Sequence, residues 1–129
     1  MKKKIAIIGA GISGLTLANF LKQQSKYEFV LYEKNNSLDT EYGYGIQLSA
    51  NSISILNKIN FENFNANNKF NPKKIDFYSL YNNKKICDLN INGFNSDKIR
   101  YTTLKRSSFV NFLKEGLLTN VVQFNKKIN

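Results

Sequence analysis

The sequence predicts an α/β fold: a parallel sheet opened by a βαβ unit, interrupted by an inserted β-hairpin and left incomplete. Three observations carry this. The apolar run Ile5-Ala6-Ile7-Ile8 leads directly into Gly9-Ala10-Gly11-Ile12-Ser13-Gly14, the pattern of a buried strand turning on glycines into a helix. A second apolar run closes on an acidic residue, Glu33, nineteen positions after Gly14. Further along, two β-rich runs flank Tyr81-Asn82-Asn83.

The first strand is read over Lys3 to Ile8 and the first helix over Ile12 to Gln24, with Leu17, Phe20 and Leu21 beside the small Gly14 and Ala18 on its apolar face. Each glycine of the turn has a physical role. Gly9 permits the tight turn off the strand, Gly11 lets a pyrophosphate approach the backbone, and Gly14 lets the helix pack closely on the strand. The helix N-terminus offers free N–H groups and a positive dipole end to phosphates. Tyr27 to Glu33 reads as a second, parallel strand, its continuous run Phe29-Val30-Leu31 suiting burial on both faces. Glu33 then stands about 20 residues beyond the glycines, where a carboxylate accepts hydrogen bonds from a ribose. The whole reads as a Rossmann-like dinucleotide-binding unit, and the motif alone leaves FAD and NAD(P) both open.

Asn35 to Tyr44 is polar and turn-like, and Gly43-Tyr44-Gly45 marks a chain reversal or a close backbone approach. Ser49 or Asn51 caps a short helix carrying Ile53, Ile55, Leu56 and Ile59. Asn60 to Asn71 reads as an irregular loop anchored by a few Phe side chains. Lys74 to Leu80 and Lys84 to Ile91 form the hairpin, because Asn82-Asn83 tolerates the positive φ of a tight turn. Ser107 or Ser108 starts a helix with Phe109, Val110, Phe112, Leu113 and Leu117 inward and Gly116 as a weak point. Val121 to Phe124 is expected as a third parallel strand.

Composition narrows the chemistry. At 129 residues the chain is expected to be a single domain. One cysteine, Cys87, precludes an internal disulfide, and with no histidine there is no Cys/His metal site, no Ser-His-Asp or Cys-His arrangement and no His base. No catalytic or metal-binding residue is therefore assigned; chemistry has to come from a cofactor, from carboxylates or from another chain. Cys87 is expected to be a half-buried strand residue. The net charge of +10 raises a nucleic-acid reading. Against it, the lysines are scattered, only Arg100 and Arg106 supply guanidinium forks, and the aromatics alternate with apolar residues instead of interleaving with a basic stripe. Abundant Lys, Asn and Ile fit an AT-rich coding sequence, so most of the charge needs no partner, and nucleic acid is not expected as one. Lys2-Lys3-Lys4 before an apolar stretch resembles a signal peptide, but glycines, Ser13, Thr16 and Asn19 interrupt that stretch and no cleavage pattern follows. No segment reaches the ~20 apolar residues of a membrane span, and the expected compartment is the cytoplasm.

The blocks GAGISG, VLYEK, GYGIQLSANSISIL and YTTLKRSSFVNFL, in this order, resemble the N-terminal part of the single-component FAD-dependent monooxygenases, the aromatic-ring and ubiquinone-pathway hydroxylases. The third block tilts the reading from NAD toward FAD. The resemblance implies that Gly9, Ala10, Gly11, Ile12, Ser13 and Gly14 surround the FAD pyrophosphate and that Glu33 binds the adenosine ribose with Lys34 beside it. It further implies that Gly45, Ile46 and Gln47 lie near the isoalloxazine and that Arg106 reaches a phosphate or ribose. It implies a reaction in which NAD(P)H reduces FAD and a flavin hydroperoxide hydroxylates a small organic substrate.

The family's second Asp-Gly motif, its Gly-Asp motif and its substrate-binding sheet have no counterpart in these 129 residues. The expectation is a partial FAD-binding domain over residues 1–129 with no substrate domain, from a truncated product, a split gene or a partial record. A second chain or a missing C-terminal part would then complete it, and the chain alone would be inactive. Two other readings stay open: an NAD(P)-binding or other FAD-dependent oxidoreductase fragment, and an inactive remnant or basic binding module.

Overall fold

The computed structural model describes residues 1–38, 43–64, 67 and 69–128. The chain divides into two compact units, one of residues 1–44 and 106–129, the other of residues 45–105.

The first unit is built on strands β1 (Lys3–Ile8) and β2 (Tyr27–Tyr32), joined through helix α1 (Ile12–Lys22). The strands pair in parallel from Lys3 opposite Tyr27 to Ile8 opposite Tyr32. Helix α1 stops two residues short of the expected Gln24. A two-residue strand at Val122–Gln123 joins the other side of β2 in parallel, so the sequence-final strand is indeed the sheet's third member. With β2 central, the three strands reproduce the third-second-first half of a doubly wound sheet.

Helix α1 turns Leu15, Ala18 and Leu21 inward, a spacing of three that keeps them on one stripe. The C-terminal helix (Arg106–Glu115) packs against it through Phe109, Val110 and Leu113, all buried. Each such Leu or Phe contributes about 1.5–3 kcal/mol by leaving water. Between the helices lies a polar clasp: Asn19 Nδ2 donates to Leu15 O at 2.9 Å and to Leu113 O at 2.8 Å, and Lys22 Nζ donates to Gly116 O at 2.9 Å. One side chain of α1 thus satisfies a carbonyl that the end of the C-terminal helix leaves without an intrahelical donor. Gly116 lies just past that helix and is no weak point within it. A Cβ there would stand 2.2 Å from Asn19 Oδ1.

Strand β2 departs from the expectation of two covered faces. Leu31 is fully buried, but Phe29 and Val30 are only half-buried. On β1, Ala6 and Ile8 are exposed, Ile8 by 61%. Helix α1 covers one face of the sheet, and the described residues leave much of the other open.

The second unit holds two small antiparallel pairings. Strand β3 (Gly45–Leu48) pairs with a strand over Thr102–Lys105, a segment to which the sequence reading assigned no element. The short helix α2 (Ala50–Leu56) follows Ser49 as expected, but the Ser49 hydroxyl bonds the Asn51 side chain and caps no backbone N–H. Part of the segment expected to be an irregular loop is ordered as a short 3-10 turn at Phe61–Asn63 with Phe61 buried; residues 65, 66 and 68 lie outside the described set.

The predicted hairpin forms over β4 (Lys74–Tyr78) and β5 (Lys85–Asn90), and Asn83 takes φ +53° at its turn. Its two faces are chemically distinct. Ile75 opposite Leu89 and Phe77 opposite Cys87 make one apolar. On the other, Asp76 faces Asp88, a like-charge pairing that would repel. Lys74 bridges the two carboxylates at 3.2 and 3.3 Å, while Lys85 reaches Asp76 at 2.8 Å and also contacts Asp88. Lys85 above all, with Lys74 beside it, holds both aspartates below their usual carboxylate range, and the aspartates push the Lys85 ammonium upward. Cys87 is exposed, which corrects the expectation of a half-buried residue: the hairpin's apolar face has no cover among the described residues.

Candidate cofactor site

At Gly9 and Gly14 the glycine turn has the backbone geometry read from the sequence. Gly9 sits at φ +93°, a conformation that side chains other than glycine's rarely adopt. Its N–H donates to Tyr32 O at 2.8 Å, tying the turn to the end of β2. A Cβ on Gly14 would lie 2.0 Å from Gly9 O, so the start of α1 lies against the turn at a distance only glycine allows. Gly11 is different: a Cβ there meets nothing within 4 Å, and its φ of −74° is unstrained. The space over Gly11 is therefore open, and its glycine is not required by the fold.

The backbone donors of the turn divide into used and unused. Gly9 and Ala10 are bonded within the protein. The first bond of the helix runs from Leu15 N–H to Gly11 O at 2.9 Å. The N–H groups of Gly11, Ile12, Ser13 and Gly14 have no partner among the described residues. These are the four orphan donors of a helix start, and no side-chain cap covers them. A row of free donors beside an open backbone on a dipole's positive end is chemically suited to an oxyanion.

Glu33 stands directly after β2 and is buried. Its Oε2 accepts the Ala10 N–H at 2.8 Å and its Oε1 accepts the Asn35 N–H at 3.0 Å. The carboxyl group sits below its ordinary range: the Asn35 N–H is the largest cause, burial opposes it, and the Ala10 N–H and Lys34 add to the lowering. Glu33 thus remains ionised and clamps the second strand to the glycine turn. Each carboxylate oxygen keeps a further lone pair. The Asn35 contribution was not read from sequence, although a carboxylate two residues before a backbone N–H in a turn was its available signal. Lys34 is exposed beside it.

Arg106 is the first residue of the C-terminal helix, so that helix begins one position before the expected serines. Its N–H donates to Tyr44 O at 3.1 Å, and a Cβ on Gly43 would lie 3.1 Å from Arg106 Cβ. The Gly43 region is thus a close backbone approach, as one of its two sequence readings held. Residues 39–42, in the polar segment before it, lie outside the described residues. Glycine turn, Glu33, Lys34 and Arg106 all belong to the first unit. Gly45, Ile46 and Gln47 belong to the second, where they form β3; Gln47 Oε1 accepts the Tyr101 hydroxyl at 2.7 Å. Among the described residues no group of His, Cys, Asp and Glu is arranged to hold a metal ion, and no helix is long and apolar enough to cross a membrane.

A profile of NAD(P)-binding Rossmann-like domains matches residues 7–39, the glycine turn through Glu33. No curated protein sequence matches the chain significantly. Solved structures do. The tetrameric form of 2-methyl-3-hydroxypyridine-5-carboxylic acid oxygenase aligns over 96% of the chain at 23% identity and a TM-score of 0.77. HpxO of Klebsiella pneumoniae, solved with FAD and uric acid, aligns over 96% at 19% identity and a TM-score of 0.74. 2,6-Dihydroxypyridine-3-hydroxylase of Arthrobacter nicotinovorans aligns over 98% at 14% identity and a TM-score of 0.70. The chain spans 32%, 31% and 29% of these proteins, about a third of each. It therefore has the fold of a part of these proteins.

Proposed function

We propose that this chain is the FAD-binding portion of a flavin-dependent monooxygenase. The observation that carries the reading is the set of four unpartnered N–H groups from Gly11 to Gly14 beside the open space over Gly11. These donors hold the pyrophosphate, with Gly9 and Gly14 fixing the turn. Glu33, already ionised and oriented by Ala10 and Asn35, accepts the adenosine ribose hydroxyls through its remaining lone pairs, with Lys34 at the rim. Arg106 provides a cation for a phosphate or ribose, and Gly45, Ile46 and Gln47 contribute to the flavin end. FAD, reduced by NAD(P)H, supplies the oxygen-transfer chemistry toward a small organic substrate; the residues of this chain bind and orient it. The three aligned oxygenases, one solved with FAD, support this choice of cofactor. The same reading treats residues 1–129 as one partial FAD-binding domain, completed by further sequence or a second chain. It sets the protein in the cytoplasm, where the free, exposed Cys87 stays reduced.

The test is FAD titration of the purified chain, followed by flavin fluorescence. Gly11→Ala separates binding from folding, because its Cβ enters open space and not protein. The variant is expected to keep its far-UV spectrum, to lose about 1 kcal/mol or less of stability, and to bind FAD at least about tenfold more weakly. A chain that ignores FAD, or a variant that binds as wild type does, sinks the proposal. The profile match to NAD(P)-binding domains gives a second reading, an NAD(P)-dependent oxidoreductase portion. Displacement of FAD by equimolar NADH or NADPH would favour it.

A further inference from the structure

The second unit contains a cavity of about 530 Å³, separate from the residues assigned to the dinucleotide and lined among others by Asn57, Phe61, Lys69, Asn71, Lys98 and Arg100. A second cavity of about 300 Å³ adjoins it, sharing Asn71, Asp97 and Arg100 and adding Lys73. The combined walls carry four cations, Lys69, Lys73, Lys98 and Arg100, against two acids, Glu62 and Asp97. Among the described residues these charges form one ion pair within the walls, Lys98 with Glu62 at 3.4 Å.

Lys69 is the unusual member. Its ammonium lies 4.7 Å over the Phe61 ring and donates to Phe64 O at 3.3 Å, but no acidic group answers it among the described residues. A ring face and one carbonyl orient an ammonium without cancelling its charge. Burial accordingly lowers its pKa, the mark of a cation with too little compensation. The Arg100 guanidinium has no hydrogen bond or ion pair among the described residues.

The frame around these two cations is fixed. Tyr101 N–H donates to Asn95 Oδ1 at 2.7 Å, Ser96 N–H to Ile99 O at 2.8 Å, and Asn71 Nδ2 bridges Tyr101 O and Thr102 Oγ1 at 3.0 and 2.8 Å. Asn57 Nδ2 donates to Lys98 O at 2.9 Å, leaving Asn57 Oδ1 as a buried acceptor without a donor in the cavity wall. A volume of this order suits a small metabolite and exceeds a single ion.

We infer that the cavity beside Lys69 and Arg100 binds a small organic anion carrying two or more negative charges. Lys69 and Arg100 supply the opposing charges, the polyamide frame holds them in place, and a hydroxyl on the ligand or a water it retains satisfies Asn57. Phosphate esters and polycarboxylates share this chemistry. Inorganic pyrophosphate and citrate are the probes that distinguish them.

The experiment is a titration of the ¹⁵N-labelled full chain with each probe, followed by backbone amide shifts. Saturable shifts at Asn71, Arg100 and Thr102 are expected with at least one probe, and the tighter probe names the head group. Arg100→Met and Lys69→Met should each weaken binding about tenfold, whereas Lys127→Met should not. Arg100 is exposed, so its replacement leaves the fold intact, and Arg100→Lys should recover part of the affinity. Shifts confined to Gly9 to Gly14 with both probes, or losses no larger than in Lys127→Met, overturn the inference. Either result leaves the FAD proposal standing, because that site is read from different resonances and from flavin fluorescence.

Discussion

Glu33 shows how a single residue joins stability to cofactor binding. Its folded pKa lies below the ordinary value of 4.5, so it stabilises the fold above that value and loses this contribution as pH falls through the lower, folded-state pKa. Glu33→Gln keeps the shape but sets a donor against one of the two backbone N–H groups. Its expected cost is about 1–3 kcal/mol at pH 7, measured by urea unfolding. The gap between wild type and variant should stay constant above about pH 6 and narrow from about pH 5 downward. A pH-independent gap would mean that the carboxylate's charge does not hold the turn. The position of Glu33 was legible because strand, turn and helix fix the register between the glycines and the end of β2. Its backbone partners Ala10 and Asn35 were not read, because such bonds depend on local turn geometry, at which the sequence pattern only hints. Cys87 failed for a related reason. Alternation places it on the hairpin's apolar face, but alternation cannot say whether anything covers that face.

At the scale of elements, the helices and the first two strands were readable because their apolar spacings are long and regular. The strand over Thr102–Lys105 was hidden by its length of four residues and by running directly into the helix at Arg106. Its identity comes from pairing with Gly45–Leu48 across more than fifty residues, a nonlocal fact. Gly116 was misread for the same reason, since its partner is Asn19 on another helix. That contact gives a sharp test. Asn19→Ala removes the donor to Leu113 O and should cost about 1–3 kcal/mol. Gly116→Ala forces a methyl against Asn19 Oδ1, which cannot yield freely while its amide is bonded twice, so it should also destabilise. In the Asn19→Ala background the obstruction is gone and Gly116→Ala should be close to neutral. A double-mutant cycle by thermal unfolding is expected to show coupling of about 1 kcal/mol or more; additive costs would mean that the two helices do not depend on this clasp.

For the molecule as a whole, the chain has about a third of the length of the proteins whose fold it shares, and apolar surface remains open in both units. In the first unit Ile8 is exposed on an edge strand whose backbone, among the described residues, has pairing partners on one side only. In the second, Phe77 and Leu89 are exposed by 49% and 45% on a two-stranded hairpin, a structure of marginal stability by itself. On the proposal that residues 1–129 are a partial FAD-binding domain, a chain that grips FAD through the first unit is expected to form no hydroxylated product with NAD(P)H. The open faces carry a separate consequence. An unpaired edge and an uncovered apolar face promote association, so the sedimentation coefficient should rise with protein concentration. Placing two lysines on the hairpin's apolar face, as Phe77→Lys with Leu89→Lys, should suppress that rise by like-charge repulsion between copies already at net charge +10. FAD affinity should not change, since none of the residues assigned to FAD lies on the hairpin strands Lys74–Tyr78 and Lys85–Asn90. Association undiminished in the double variant would place the sticky surface on the sheet edge of the first unit, and a concentration-independent wild type would show that neither face drives assembly.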